Sequence, residues 1–225
     1  LRAVEGMGGY RALMAVIRRT SSHVCWICSF SRFVWEFLEF ATRGQDLFHR
    51  AVTLPGWPEE AIRQLIEKRM DECGMACSFD DLVDEDVHPL EREEARGRTR
   101  ERFMRLLWDY TDGIPRLAMY FWLRSLVPDA EGTLRVRPFD GPGPDDLEHL
   151  GEKARFVLNA VISHEDLTVE ESVQVLQFRP DSCLAVLEQL RARGYLTLEG
   201  ERYRVTHHWD RAAVRYLRRK HLLYL

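Results

Sequence analysis

Neither a helix nor a central strand can run far through residues 127–146, "VPDAEGTLRVRPFDGPGPDD". Proline lacks an amide donor and fixes its own φ, and glycine loses more freedom on ordering than any other residue. A segment dense in both, with aspartate, reads as a linker in which only Leu134 to Arg137 has the pattern of a short strand. The chain is thereby divided, and the parts on either side must each bury their own apolar residues. With 225 residues, 45% apolar and 30% charged, there is material for both.

Beyond the linker the periodicity is helical. Leu147 to Ile162 predicts a helix, and "TVEESVQVL" a short one that starts at Thr168 with Glu170 and Glu171 behind it. "RPDSCLAVLEQLRARG" predicts a third, capped by Asp181 or Ser182 and ended by Gly194. "YLTLEGERYRVT" alternates on both sides of Glu199-Gly200-Glu201 as a β-hairpin does, and Trp209 to Leu223 predicts a last helix. Helix, helix, helix, hairpin, helix is the order of a winged helix-turn-helix.

Before the linker, Pro58 to about Ser78 predicts a helix with Ile62, Leu65 and Ile66 on one face. Residues 99–110 predict a second, with Phe103, Leu106 and Leu107 inward, and a third runs from Pro115 to Leu126. The charged stretch 78–100 between them reads as an irregular loop with fragments of helix. Nearer the start, Val4 to Arg19 is helical in pattern, "HVCWICSF" reads as a strand buried on both faces, "RFVWEFLEFAT" as a short helix and "LFHRAVTLP" as a second strand. Helix, strand, helix, strand implies a parallel α/β sheet, and two strands alone cannot hold one. The missing strands are expected before residue 1 or from a partner; a chain that opens on Leu1 in mid-pattern is expected to be a piece of a longer one.

Charge and cysteine content exclude some classes. A net charge of -4 argues against a basic nucleic-acid coat, and no apolar run approaches the roughly 20 residues that span a bilayer. Five cysteines, an odd number, favour a reducing compartment, here the cytoplasm, over a disulfide scaffold. Cys25-x-x-Cys28 and Cys73-x-x-x-Cys77 invite a four-thiolate zinc site, but residues three apart on a strand face opposite ways. They are read as buried small hydrophobes, with no metal expected.

"TDGIPRLAMYFWLRSL", residues 111–126, raises a sharper question, because Arg116 falls in the first turn of its helix, where the dipole is already positive. An anion should meet it there. Spacing alone offers two, a carboxylate of Asp109 or Asp112 and a phosphate.

The pieces together resemble the C-terminal two-thirds of a AAA+ ATPase of the origin-recognition and STAND-like type. "HVCWICSFS" is similar to the sensor-1 strand, "LFHRAVTLPGWPEEAIRQLIEKRM" to the last core strand entering the helical lid, and "DGIPRLA" to the sensor-2 motif, with Ile114 where that motif has Asn. The resemblance implies a mainly α fold with an α/β part: the end of a P-loop NTPase core over 1–56, a helical lid over 57–130, a linker over 131–144 and a winged helix over 145–225. It implies that Arg116 reaches the γ-phosphate of ATP, that Ser29 or Ser31 serves as sensor 1, and that Arg43 or Arg50 acts as an arginine finger on a neighbouring subunit. The bland readings beside these are an ion-paired surface arginine, hydroxyls that satisfy a strand-to-helix turn, and ordinary loop arginines. No Gly-x-x-x-x-Gly-Lys-Ser/Thr occurs, so ATP and Mg would be held upstream and the chain itself is expected to be catalytically inert.

The implied function is a nucleotide-dependent molecular switch whose winged helix engages a protein partner, the chain's own upstream domains or a second copy. The alternatives are a DNA-binding initiator or transposition-type ATPase, and a scaffold with a decayed nucleotide site. DNA is disfavoured because Asp181 and Glu188 sit on the third helix and Glu199 and Glu201 at the hairpin tip, where phosphates would lie. The cations gather instead on the last helix as Arg211, Arg215, Arg218, Arg219 and Lys220, either an anion or nucleic-acid patch or the solvated side of an amphipathic helix.

Overall fold

The computed structural model describes residues 7–42, 48–83, 92–130 and 132–223. It is mainly helical, and its Cα packing forms two compact units, Thr53–Pro142 and a second that joins Leu1–Val52 to Gly143–Leu225.

In the second unit the chain begins with α1 (Met7–Thr20) and α2 (Arg32–Ala41). Ser31 caps α2, its Oγ accepting from the Val34 amide at 3.4 Å. Tyr10, Met14, Ile17 and Leu38 are buried together, with Cys28, Phe30, Val34 and Phe48 packed on them. The two expected strands are not there. Residues 24–31 and 50–58 carry no ladder, and Ile27 is 93% exposed and Leu54 88%. Such a strand needs a neighbour on each side, and none pairs with these segments among the described residues. The expected P-loop-type sheet is therefore not formed within them.

The same unit resumes after the linker with α6 (Glu152–His164), α7 (Val169–Leu176), α8 (Pro180–Ala192), β4 (Leu196–Glu199), β5 (Arg202–Val205) and α9 (His207–Arg219), in the predicted order. Thr168 and Glu171 close a capping box on α7. Cap positions differ from expectation elsewhere: Arg179, not Asp181 or Ser182, caps α8, because Pro180 takes the first helical position, and α9 starts two residues before Trp209. β4 and β5 pair antiparallel from Leu196↔Val205 to Glu199↔Arg202, and Leu167 adds a bridge to Tyr203. Val157, Leu158, Val161, Leu187, Tyr216 and Leu217 lie at the centre of a continuous core.

The unit Thr53–Pro142 holds α3 (Glu59–Cys73), α4 (Arg92–Thr111) and α5 (Pro115–Ser125). A three-stranded sheet completes it, with β3 (Leu134–Val136) between β1 (Cys77–Ser78), parallel to it, and β2 (Leu126–Pro128), antiparallel. The short strand of the linker is thus the central strand of this sheet, and Phe139 beyond it packs on the helical core. Ile62 and Ile66 of α3 meet Phe103, Met104 and Leu107 of α4 and Phe121 and Trp122 of α5. Leu106, expected inward, is 54% exposed. The stripe is completed by Met104, with Leu107 lying between it and Phe103 around the helix, whereas Leu106 falls outside it.

Candidate functional site

The turn around Arg116 is built by an interlock of two glycine-containing segments. α4 ends with Asp112 at φ 52 and Gly113 at φ 65, consecutive left-handed residues. The Gly113 amide donates to the Trp108 carbonyl at 3.2 Å, and the Ile114 amide to that of Thr111 at 3.0 Å. Across this turn lies Gly56-Trp57. The Trp57 amide donates to the Gly113 carbonyl at 2.7 Å, and the Trp108 indole N–H to the Trp57 carbonyl at 2.8 Å. There is no room for a side chain on either glycine. A Cβ on Gly56 would stand 1.9 Å from the Asp112 oxygen, and one on Gly113 2.1 Å from the Trp57 oxygen.

Pro115 then opens α5, and Ile114 has no side chain able to cap it. The first intrahelical bond is from Ala118 to the Ile114 carbonyl, so the amides of Arg116 and Leu117 precede the ladder. Arg116 is exposed, while Leu117 and Ala118 beside it are buried. The result is a fixed helix start that carries Arg116 and two amides ahead of the ladder in its first turn.

Other expected site residues are placed differently. Ser31 is used as the α2 cap, while Ser29 and Arg50 are exposed; these three belong to the unit that does not contain Arg116. Arg43 lies outside the described residues. The cysteines expected to be buried are mostly not: Cys25 and Cys73 are exposed, and only Cys183 is fully buried. Burial pushes the Cys183 and Cys77 thiols up. Among the described residues no group of three or more His, Cys, Asp or Glu could hold a metal ion.

The basic patch of α9 is partly neutralised. Arg219 reaches Asp145 at 2.7 Å and Glu148 at 2.6 Å, and Lys220 reaches Glu148 at 2.7 Å. Lys220 first, then Arg219, holds the Glu148 carboxyl below the ordinary range. Arg211, Arg215 and Arg218, at helical spacing, remain half-buried along the same helix. In the hairpin, Arg202 reaches Asp166 at 2.6 Å and Glu171 at 2.8 Å, and Arg204 reaches Asp166 at 3.1 Å. Sequence reasoning saw those two arginines but not their carboxylates, which lie more than thirty residues away. The Gly56–Gly113 interlock was missed for the same reason, although the flanking prolines, Pro55 and Pro58, marked the loop as special.

No family model, no curated protein and no solved structure matches the chain. No described helix is long and apolar enough to cross a membrane.

Proposed function

We propose that the chain is the responsive part of a nucleotide-dependent molecular switch of the AAA+ or STAND type. In this reading Arg116 meets a terminal phosphate of ATP, and the Gly143–Leu223 portion acts as a winged-helix-type module for a protein partner. The observation that carries it is the interlocked turn, which fixes the helix start that bears Arg116, where a helix dipole favours an anion. One arginine and two first-turn amides would serve one phosphate and no more. The chain has no Gly-rich phosphate cradle, and no carboxylate cluster among the described residues suits magnesium. ATP and Mg would be held by other parts of a longer protein, where they supply the switching signal, and this chain would not turn ATP over alone.

The preference for protein over DNA rests on charge. The arginines that follow the hairpin tip are held by Asp166 and Glu171, and Arg219 and Lys220 by Asp145 and Glu148. Little counterion release is then left for a duplex to gain. Titration of the isotope-labelled chain with inorganic triphosphate tests the reading. Two charge-assisted hydrogen bonds of about 2 kcal/mol each correspond to affinity near 1 mM, with amide shifts at 116–118 that vanish in Arg116→Ala. Shifts confined to 211–220 would overturn it and favour the DNA-binding initiator; no shift anywhere would favour the scaffold.

A further inference from the structure

A groove of about 600 Å³ lies between α3 and α4 within the unit Thr53–Pro142, floored by the buried Met104. One wall is the exposed face of α4, where Arg98, Arg102 and Arg105 follow one another at helical spacing. Like charges set four and three residues apart on a helix repel, and a solvated face ordinarily relieves them with acidic residues at the same steps. Here that relief is missing. Arg98 has Glu94 at 3.9 Å, too long for a hydrogen bond. Arg102 and Arg105 make no ion pair or hydrogen bond among the described residues, and Asp109, one turn beyond Arg105, does not reach it. The carboxylates of the groove are engaged on its α3 side. Glu59 and Glu60 stand in the first turn of α3, where the helix dipole favours them. Glu60 also accepts from Arg63, and from Gln64 at 2.8 Å. Glu101 adds its charge to those of Glu60 and Glu67 around Arg63. Two guanidiniums without a counter-charge remain, with a third loosely held.

Geometry and charge narrow the ligand. A guanidinium presents a planar fork of N–H donors that matches the oxygens of a phosphate, and it stays charged at any working pH. Arg102 and Arg105 are one turn apart, about 5–6 Å between such positions, so a ligand with adjacent anionic groups can engage both at once. Separate carboxylates on a peptide would each immobilise a flexible side chain to do so, whereas linked phosphates deliver several charges in one compact chain. The volume lies within the roughly 300–1,000 Å³ of small-molecule sites. We propose that the α3–α4 groove is a binding site for a linked-phosphate ligand, free polyphosphate or the tail of a nucleotide, held by Arg102 and Arg105 with Arg98 beside them. The site shares no residue with the Arg116 turn and stands whether or not that turn binds ATP.

The test titrates the isotope-labelled chain, at constant ionic strength, with inorganic triphosphate and with orthophosphate. Triphosphate should give saturable amide shifts over 98–105 and 59–63, with orthophosphate weaker by about tenfold or more, the loss of one charge-assisted contact. Those shifts should vanish in Arg102→Ala/Arg105→Ala and survive in Arg116→Ala. ATP in place of triphosphate separates the sources: equal affinity marks the phosphate chain alone as the ligand, and tighter binding of ATP marks a nucleotide. Equal affinity of triphosphate and orthophosphate would overturn the proposal, as would a triglutamate peptide that binds as tightly as triphosphate. Shifts over 98–105 that persist in the double variant, or none there, would overturn it too. Shifts over 98–105 with none at 116–118 would sink the function proposed above and leave this site standing, and the reverse pattern would do the opposite.

Discussion

Residues 7–52 and residues 143–223 are both rich in apolar side chains, yet they treat them in opposite ways. The later stretch buries Val157, Leu158, Leu187, Leu190, Tyr216 and Leu217 in one continuous core. The earlier one buries only Tyr10, Met14, Ile17 and Leu38 among its described residues and leaves Val24, Ile27, Phe40 and Val52 exposed. The difference lies in where each element finds its partner. A hairpin supplies its own ladder, and three helices a few residues apart supply each other's apolar faces. A lone strand has no such neighbour, so an apolar run states what would gain from burial without providing it.

The sharpest way to break this comparison is to truncate one core leucine in each region. Leu187→Ala, in the large core, should lower the free energy of unfolding by about 3 kcal/mol, within the 2–5 usual for such cavities. Leu38 is equally buried, but its cluster is small. Leu38→Ala should change global unfolding by less than about 1 kcal/mol while hydrogen exchange in α1 and α2 accelerates. Urea denaturation and native-state exchange read the two effects separately. Equal global losses would mean that the two regions unfold as one and that the contrast is false.

A second contrast uses pH. The Tyr203 hydroxyl donates to Glu188 at 2.5 Å, and burial, followed by that carboxylate, pushes its pKa up to about 12. The folded state therefore binds this proton more tightly than the unfolded chain, whose tyrosines titrate near 10. Its contribution is complete below about pH 10 and is lost as pH rises towards 12, so stability should fall across that window. Tyr203→Phe should remove that part of the fall, seen as a flatter pH dependence of the urea midpoint. Tyr10 is also raised, by burial with Arg18 opposing, but its hydroxyl has no hydrogen-bond partner. That raised value stabilises only the small cluster around it, which opens apart from the large core, so Tyr10→Phe should leave the global midpoint and its slope with pH unchanged; an equal flattening would erase the distinction between the regions.

What could be read from the sequence follows the same division. Helices α6 to α8 and the hairpin were legible because their signals are local: Thr168 with Glu171, Pro180, Gly194, and the Gly200 turn at φ 63. The turn before Arg116 was legible from Asp112-Gly113-Ile114-Pro115. The Gly56-Trp57 segment that locks it was not, because the contact spans more than fifty residues and leaves no periodic trace. Arg219 likewise looked free for an anion until folding brought Asp145 and Glu148, some seventy residues earlier, beside it. The strand expected over 23–30 failed because its pattern reports the residues' appetite for burial, and a ladder is a property of two segments.

The smallest expected effect sharpens the comparison most finely, and it concerns Ile27. This side chain is 93% exposed in a segment whose pattern reads as doubly buried. With its side chain in water in the folded chain, Ile27→Ser removes an apolar surface that folding never took from water. The free energy of unfolding should then stay within about 0.5 kcal/mol of the unaltered chain, the range of ordinary surface substitutions. Were the segment paired in a sheet, the same change would forfeit the roughly 1.5–3 kcal/mol of a buried isoleucine and leave a hydroxyl in an apolar layer besides. Urea denaturation in dilute solution separates these outcomes. The same substitution should raise the concentration at which the chain begins to aggregate, since an unpaired apolar segment invites edge-to-edge pairing. A loss above about 1.5 kcal/mol in dilute solution would show that Ile27 is covered after all, and would move residues 23–30 to the side of the well-packed helices.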